Sequence, residues 1–181
     1  MMLIEVKDKP SVKAFLETPK VLYRNDPNWV CPLDMEIENT FDRNRNSSFQ
    51  HGNACRWILK DEQGQLIGRI AAFYDRNKAM NNAQPTGGIG FFECIDDQNA
   101  ANKLFETAKN WLTSEGMEAM DGPINFGENF VNWGLLVEGF MQQGYGMPYN
   151  FAYYKSLFEN YGFKTYFEQY SFHDTFSRGY P

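Results

Sequence analysis

Histidine and cysteine are scarce in this chain. Its 181 residues include two histidines, His51 and His173, and three cysteines, Cys31, Cys55 and Cys94. Neither histidine belongs to a cluster with metal-ligand spacing, so no metal site is expected. The cysteines are odd in number and far apart, which argues against a disulfide framework. A Ser-His-Asp or Cys-His centre would have to use one of the two histidines. His51 follows Ser47, Ser48, Phe49 and Gln50 in a polar loop, where it reads as a solvated side chain.

Long apolar runs are missing as well. No window approaches the length of a membrane-spanning helix. The first ten residues, MMLIEVKDKP, mix acids and bases and lack the apolar centre of a signal peptide. The expectation is therefore a cytoplasmic protein with no membrane partner. A basic excess is also absent: the net charge is −6 and the pI about 5.0. A nucleic-acid partner needs a basic face, so none is expected. An anionic cofactor stays open, because backbone N–H groups can hold one locally.

Aromatic residues, by contrast, are plentiful: sixteen Phe, ten Tyr and four Trp. Two readings stand side by side, a core and cleft built from rings or an aromatic-lined ligand pocket. Hydrophobic residues make up 43% and charged residues 22%, the balance of a globular protein, and the length fits one domain over residues 1–181. Cys94 sits in an apolar run and reads as a small core residue.

Periodicity gives an ordered set of elements. Leu3 to Val6 reads as a strand. Ser11 is placed to cap a short helix bearing Phe15 and Leu16, which Pro19 breaks, with Thr18 as cap of a further turn. Leu33, Ile37 and Phe41 fall on one face of a second short helix, and the polar stretch from Asp42 to Asn53 reads as an exposed loop. Cys55 to Leu59 and Leu66 to Tyr74 form a hairpin around Asp61-Glu62-Gln63-Gly64, with Gly68 marking a close approach or a bulge. Asp75 to Pro85 is a polar loop, and Gly87 to Ile95 is an apolar strand. Ala101, Leu104, Phe105, Ala108, Trp111 and Leu112 then give the clearest helical stripe, over Gln98–Glu115, with Asp96 or Asp97 as cap and Gly116 as stop. Met117 to Asp121 is a short strand. The segment Pro123–Tyr149 has no sustained period, and within it only Leu135 to Val137 reads as a strand.

The stretch Tyr149–Phe163, YNFAYYKSLFENYGF, carries a short helix with one apolar face. Asn150 is placed as its cap, Tyr154, Leu157, Phe158 and Tyr161 share a face, and Gly162 sits where a left-handed terminating residue is wanted. Strand-like alternation follows over Lys164–Phe176. A late helix ending in Gly-Phe resembles the last helix of the GNAT (N-acetyltransferase) superfamily, and the element order resembles that family over nearly the whole chain. The segments DPNWVCPLD, GRIAA, GPINF and GLLVEGF are also similar to a bacterial branch of that fold whose members are longer. The resemblance implies an α+β fold, a mixed central sheet flanked by helices, with Gly87–Ile95 and Met117–Asp121 as neighbouring parallel strands. It implies acetyl-CoA or another acyl-CoA as donor and a small-molecule or peptide amine as acceptor. The alternative is a GNAT-fold module that has lost catalysis and serves binding or assembly.

The site residues follow from that resemblance. The donor's pantetheine arm would run beside Gly87–Ile95, and its pyrophosphate would lie at the start of the following helix, which implicates Ile95, Gln98, Asn99, Ala100, Ala101 and Phe158. The family's Q/R-x-x-G-x-G/A loop reads Gln98-Asn99-Ala100-Ala101-Asn102-Lys103 here, without either glycine, and Asp96 and Asp97 place two carboxylates beside it. They serve equally as ordinary capping residues, and weak acyl-CoA binding is the expectation. The family's acid tyrosine falls on Phe158, so Tyr154, one turn earlier, is the candidate substitute, with Tyr153 and Tyr161 close by as alternatives and packing as the competing role for all three. Glu93 is the candidate base, being the sole charge within Gly87–Ile95, and pairing with Arg69 or Arg56 is the competing role. Asn125, Trp133 and Tyr149, in the aromatic Pro123–Tyr149 segment, are candidate acceptor-binding residues. The same segment fits a packed flap or a contact with a second copy of the chain.

Overall fold

The computed structural model describes residues 1–81, 83–127 and 133–172. Strands β1 (Met2–Glu5), β2 (Gly52–Lys60), β3 (Leu66–Asp75), β4 (Thr86–Cys94) and β5 (Ala119–Asp121) form one sheet in the order β1-β2-β3-β4-β5. The first three pairings are antiparallel, and β4 and β5 are parallel, with Gly87 opposite Met120. A parallel pair needs a crossover, and helix α4 (Gln98–Ser114) supplies it. The parallel neighbours expected from the strand-helix-strand order are therefore present.

Each sheet face has its own helical cover. Helix α1 (Lys9–Leu22) and helix α2 (Asp34–Phe41) pack on the face that carries Ile58, Ala71 and Phe73. Helix α4 and helix α5 (Tyr154–Tyr161) pack on the opposite face, against Leu59, Ile70 and Cys94. Helix α3 (Arg76–Ala79) is a single turn after β3, capped by Asp75, inside the stretch expected to be a loop.

Several local expectations are corrected. Helix α1 is capped by Asp8, whose side chain accepts from Ser11 N, and Ser11 is the reciprocal partner of that capping box, not the cap. Pro19 does not break the helix. It lies inside α1, and Thr18 bonds back to Ala14 O at 2.8 Å instead of capping a new turn. The missing N–H of Pro19 leaves Phe15 O without its helical donor, and Arg69 Nη1 fills that place at 2.9 Å. Leu33 is exposed, so Ile37 and Phe41 alone hold α2 to the core. The polar loop contains a 3₁₀ turn at Ser47–Gln50, and β2 already starts at Gly52.

The last third of the chain departs most from the sequence reading. Asn150 does not cap α5, which begins four residues later without a side-chain cap. Asn150 instead clamps Leu136, accepting from its N–H at 2.7 Å and donating to its carbonyl at 3.0 Å. Those backbone groups are thereby taken, and Leu135 to Val137 forms no strand. Gly162 does end α5, at φ 116°, with its N–H on Phe158 O and Glu159 O. The expected strand after Lys164 is absent as far as Phe172, where the described residues stop. Its alternation leaves Tyr166 and Phe172 almost fully exposed. His173 and the rest of that run lie outside the described residues.

Candidate active site

The site begins with an irregularity in β4. Arg69 pairs with Glu93, but Ala71 pairs with Gly90, so β4 carries one residue more than β3 between these pairs. Phe91 absorbs it at φ 51°, a left-handed conformation that costs about 1 kcal/mol or more for a non-glycine residue. Packing holds it there: the Phe91 ring meets Phe41 at 5.0 Å and Phe15 at 6.2 Å. Phe92 points to the other face, stacked on Phe105 at 4.7 Å.

Beyond the bulge, β4 loses its parallel neighbour. β5 pairs only as far as Gly88, and the chain after it follows β4 just to Ile124, whose N–H bonds Ile89 O at 2.8 Å. Ile124 O then passes so close to Gly90 that a Cβ there would lie 2.0 Å away, which is why a glycine stands at this position. Further along, alternate backbone groups of β4 face the side that β5 has left. Cys94 presents its N–H and C=O there.

Tyrosine hydroxyls take both groups. Cys94 N donates to Tyr154 Oη at 2.8 Å, and Tyr153 Oη donates to Cys94 O at 2.7 Å. Tyr154 Oη in turn donates to Glu93 Oε2 at 2.9 Å, and Tyr23, at the end of α1, donates to Tyr154 Oη at 3.5 Å. Arg69 stands on the other side of the carboxylate, with Nη2 3.5 Å from Glu93 Oε1. Glu93 and Tyr154 are thus brought together, and of the two arginines considered as partners Arg69 is the one used. Arg56 lies over the Phe41 ring at 4.2 Å, and burial lowers its pKa to about 10.

Electrostatics make this cluster unusual. Arg69 is 3% and Glu93 12% exposed by side chain. Burial pushes the Glu93 carboxyl up from its ordinary value, and Arg69, Tyr23 and Tyr154 offset that only in part. Burial also pulls the Arg69 guanidinium down, and raises the Tyr154 and Tyr23 hydroxyls, with Glu93 adding to both. Arg69 Nε has no hydrogen-bond partner among the described residues.

The remaining sequence candidates fall in three places. Ile95 lies past the end of β4 and packs on the α4–α5 side, not on the Glu93 face. Ala100, Ala101 and Phe158 are core residues, with the Phe158 ring set edge-on against Phe92 and Phe105. Gln98 donates to Leu157 O at 3.1 Å, which closes the start of α4 onto α5, and Asn99 is exposed. Asn125 Oδ1 accepts from Phe126 N, and the Trp133 ring packs on Phe167. Tyr149 connects to the cluster through Tyr23, with ring centroids 6.0 Å apart. Tyr23 itself escaped notice in the sequence. It falls on the same helical stripe as Phe15 and Pro19, a signal hidden when Pro19 is taken as a breaker.

The Cys94 N–H is buried and already bonded to Tyr154 Oη, so a thioester carbonyl would have to displace that hydroxyl to use it. At the start of α4 the N–H groups of Asn99 and Ala100 are already bonded to Asp97 Oδ1, at 2.7 and 3.0 Å. A pyrophosphate would have to displace that carboxylate, so the nucleotide end lacks its cradle. Among the described residues no group of three His, Cys, Asp or Glu is placed to hold a metal ion, and no helix is long and apolar enough to cross a membrane.

Comparison with known proteins bears on the fold. The fold matches an aminoglycoside antibiotic 6′-N-acetyltransferase from Acinetobacter baumannii, at a TM-score of 0.54 and 9% identity, covering 96% of this chain and 97% of that one. It also matches a predicted acetyltransferase from Clostridium acetobutylicum solved with acetyl-CoA, at a TM-score of 0.54 and 12% identity, covering 95% and 96%. The chain has the fold of the GNAT acetyltransferases. In sequence it is 34% identical over 157 residues to Protein YghO of Escherichia coli, covering 86% of this chain and 40% of that protein. It is 34% identical over 145 residues to a bacterial ceramide synthase of Caulobacter vibrioides, covering 77% of this chain and 36% of that protein. The chain thus spans well under half the length of these two relatives. No family model matches it.

Proposed function

We propose that the chain carries out N-acyl transfer from an acyl-CoA thioester to an amine, with Tyr154 and Glu93 as its proton relay. The observation that carries this reading is the continuous hydrogen-bonded line from Cys94 N through Tyr154 Oη to Glu93 Oε2, on the side of β4 that β5 has left. The ceramide synthase relative supports a long-chain amine as acceptor.

A bound acyl thioester supplies the electrophilic carbonyl and a thiolate leaving group. Cys94 N–H, released by Tyr154, polarises that carbonyl. Tyr154 Oη takes the proton of the attacking amine while passing its own to Glu93 Oε2. In the second half the proton returns from Glu93 through Tyr154 to the departing sulfur, and the amide product is neutral. The high phenol pKa is no obstacle, because a phenolate never accumulates in a coupled transfer. A carboxyl raised by burial is a better base at neutral pH than an ordinary glutamate. Arg69 keeps it from being raised further.

Turnover and melting temperature of Glu93→Gln test this together. Shape is kept and basicity lost, so turnover should fall by about 10²–10⁴ with donor affinity little changed. Unchanged turnover would remove Glu93 from the chemistry. The second reading, a GNAT-fold module without catalysis, is favoured by Asp97 on the α4 N–H groups. It would be upheld if no acyl-CoA, short or long, supports acylation of any primary amine.

A further inference from the structure

Two arginines of the sheet share the Phe15 ring. Arg69 lies over it at 4.7 Å, and Arg56, on β2, at 5.3 Å. Their surroundings differ. Arg69 has the Phe15 carbonyl and the Glu93 carboxylate. Arg56 has rings, since it also lies over Phe41 at 4.2 Å. Arg45 pairs with Asp42 and Arg69 with Glu93, but among the described residues no carboxylate pairs with Arg56, and its buried Nη1 has no hydrogen-bond partner. Burial lowers its pKa to about 10, so the group is still charged at neutral pH. A charged donor taken from water and left unmet is costly, and a ring face offsets only part of that cost.

Arg56 also lines a cleft of about 460 Å³ between α1, α2 and β2. Val12, Met35 and Phe41 supply its apolar wall, and Glu38 and Asp42 supply acids. The two acids are not equivalent. Asp42 is occupied: it accepts from Asn44 N at 2.8 Å and faces Arg45 Nε at 3.7 Å. Glu38, one turn earlier and exposed, has no such partner among the described residues, and its charge acts on Arg56. The cleft therefore combines an unmet cation, an unmet acid and an apolar wall. Glu93, Tyr154 and Cys94 do not line it.

We propose that this cleft binds a free amino acid with an apolar side chain, its carboxylate on Arg56 and its ammonium on Glu38. A guanidinium offers parallel N–H groups that match the two oxygens of a carboxylate. A phosphate dianion could use the same N–H groups, but Glu38 and Asp42 repel its second charge. A fatty acid lacks the cation that Glu38 attracts, and a simple amine leaves Arg56 Nη1 unmet. The side chain of the amino acid covers Val12, Met35 and Phe41. Binding here does not depend on acyl transfer, because the cleft and the relay share no residue.

The test is titration of the isotope-labelled chain with leucine, followed by NMR of the backbone amides around Glu38 and Arg56. The shifts should saturate and stay local to the cleft. Leucinamide, which lacks the carboxylate, and N-acetylleucine, which lacks the ammonium, should each bind at least about tenfold more weakly. Glycine should bind about tenfold more weakly, for want of apolar contact. Arg56→Met should abolish saturable binding. Arg56→Lys keeps a cation without the planar fork and should weaken leucine at least about tenfold, and the melting curve of each variant shows whether the fold is kept. Glu38→Gln, at an exposed site, should bring leucine down to the affinity of N-acetylleucine. No saturable shift with leucine, equal binding of leucinamide, unchanged leucine affinity in a folded Arg56→Lys protein, or the same shifts with inorganic phosphate would each overturn the proposal.

Discussion

Arg69 Nη1 donates to Phe15 O at 2.9 Å, and Phe15 O is the carbonyl that Pro19 deprives of its helical donor. A proline in α1 and an arginine on β3 are therefore two halves of one device. The proline opens an acceptor in the middle of a helix, and the guanidinium that fills it is held over the Phe15 ring at 4.7 Å, facing Glu93.

This coupling is measurable. Arg69→Met should cost about 3–5 kcal/mol at neutral pH, because it leaves a buried carboxylate without its cation. Adding Glu93→Leu should recover part of that loss. Pro19→Ala should be nearly neutral alone, since Phe15 O is already satisfied. In the Arg69→Met background it should restore about 1 kcal/mol by supplying the missing N–H. Denaturant unfolding of the four proteins decides it, and additive effects of Pro19→Ala and Arg69→Met would mean the two residues are unrelated.

The pH dependence of stability has a sign fixed by Glu93. Its folded pKa is raised above the ordinary 4.5. A raised value means the folded chain holds this proton more tightly than the unfolded one. The contribution is then fully present below pH 4.5 and is lost as pH climbs through the folded value. Glu93→Gln has no such proton, so its stability should rise relative to the unaltered chain as pH increases from 4 to 8. A difference that is flat with pH, or that falls, would show that burial does not govern this carboxyl.

The sequence made the sheet and the pairing of Glu93 with an arginine legible, for physical reasons. Alternation sets a strand's faces, so a lone carboxylate in Gly87–Ile95 needed a cleft or a partner, with Arg69 and Arg56 both open as partners. The Gly-Phe stop at Gly162 was equally readable, because a left-handed residue needs no tertiary context. The bulge at Phe91 was not readable, since nothing but packing against Phe15 and Phe41 keeps a phenylalanine at φ 51°. Asn150 misled because its cap chemistry was used across space, on Leu136 fourteen residues away, and not along the helix. Tyr23 was lost with Pro19, whose cost in a helix is real in isolation but is offset here by Arg69.

Donor binding tests the start of α4. Asp97 holds the N–H groups of Asn99 and Ala100, and Asp96 is exposed beside it. Replacing both with Asn keeps a capping side chain and removes two negative charges. Acetyl-CoA affinity should increase several-fold, more at low salt than at high. Sub-micromolar binding by the unaltered chain would show that these carboxylates are no barrier to the nucleotide.

Phe158→Tyr separates position from chemistry. It puts a tyrosine where the GNAT resemblance calls for the acid, and the same helix already carries Tyr154 in hydrogen-bonding contact with Glu93. Phe158 is 4% exposed, and its ring is set among Phe92, Phe105 and Phe163, which offer a hydroxyl no partner. The new hydroxyl should therefore cost about 1–3 kcal/mol of stability and leave turnover no higher. Tyr154→Phe, by contrast, frees Cys94 N–H and severs the relay, so turnover should fall by about 10²–10⁴. A Phe158→Tyr protein that melts normally and restores turnover to Tyr154→Phe would return the acid to position 158 and remove Tyr154 from the mechanism.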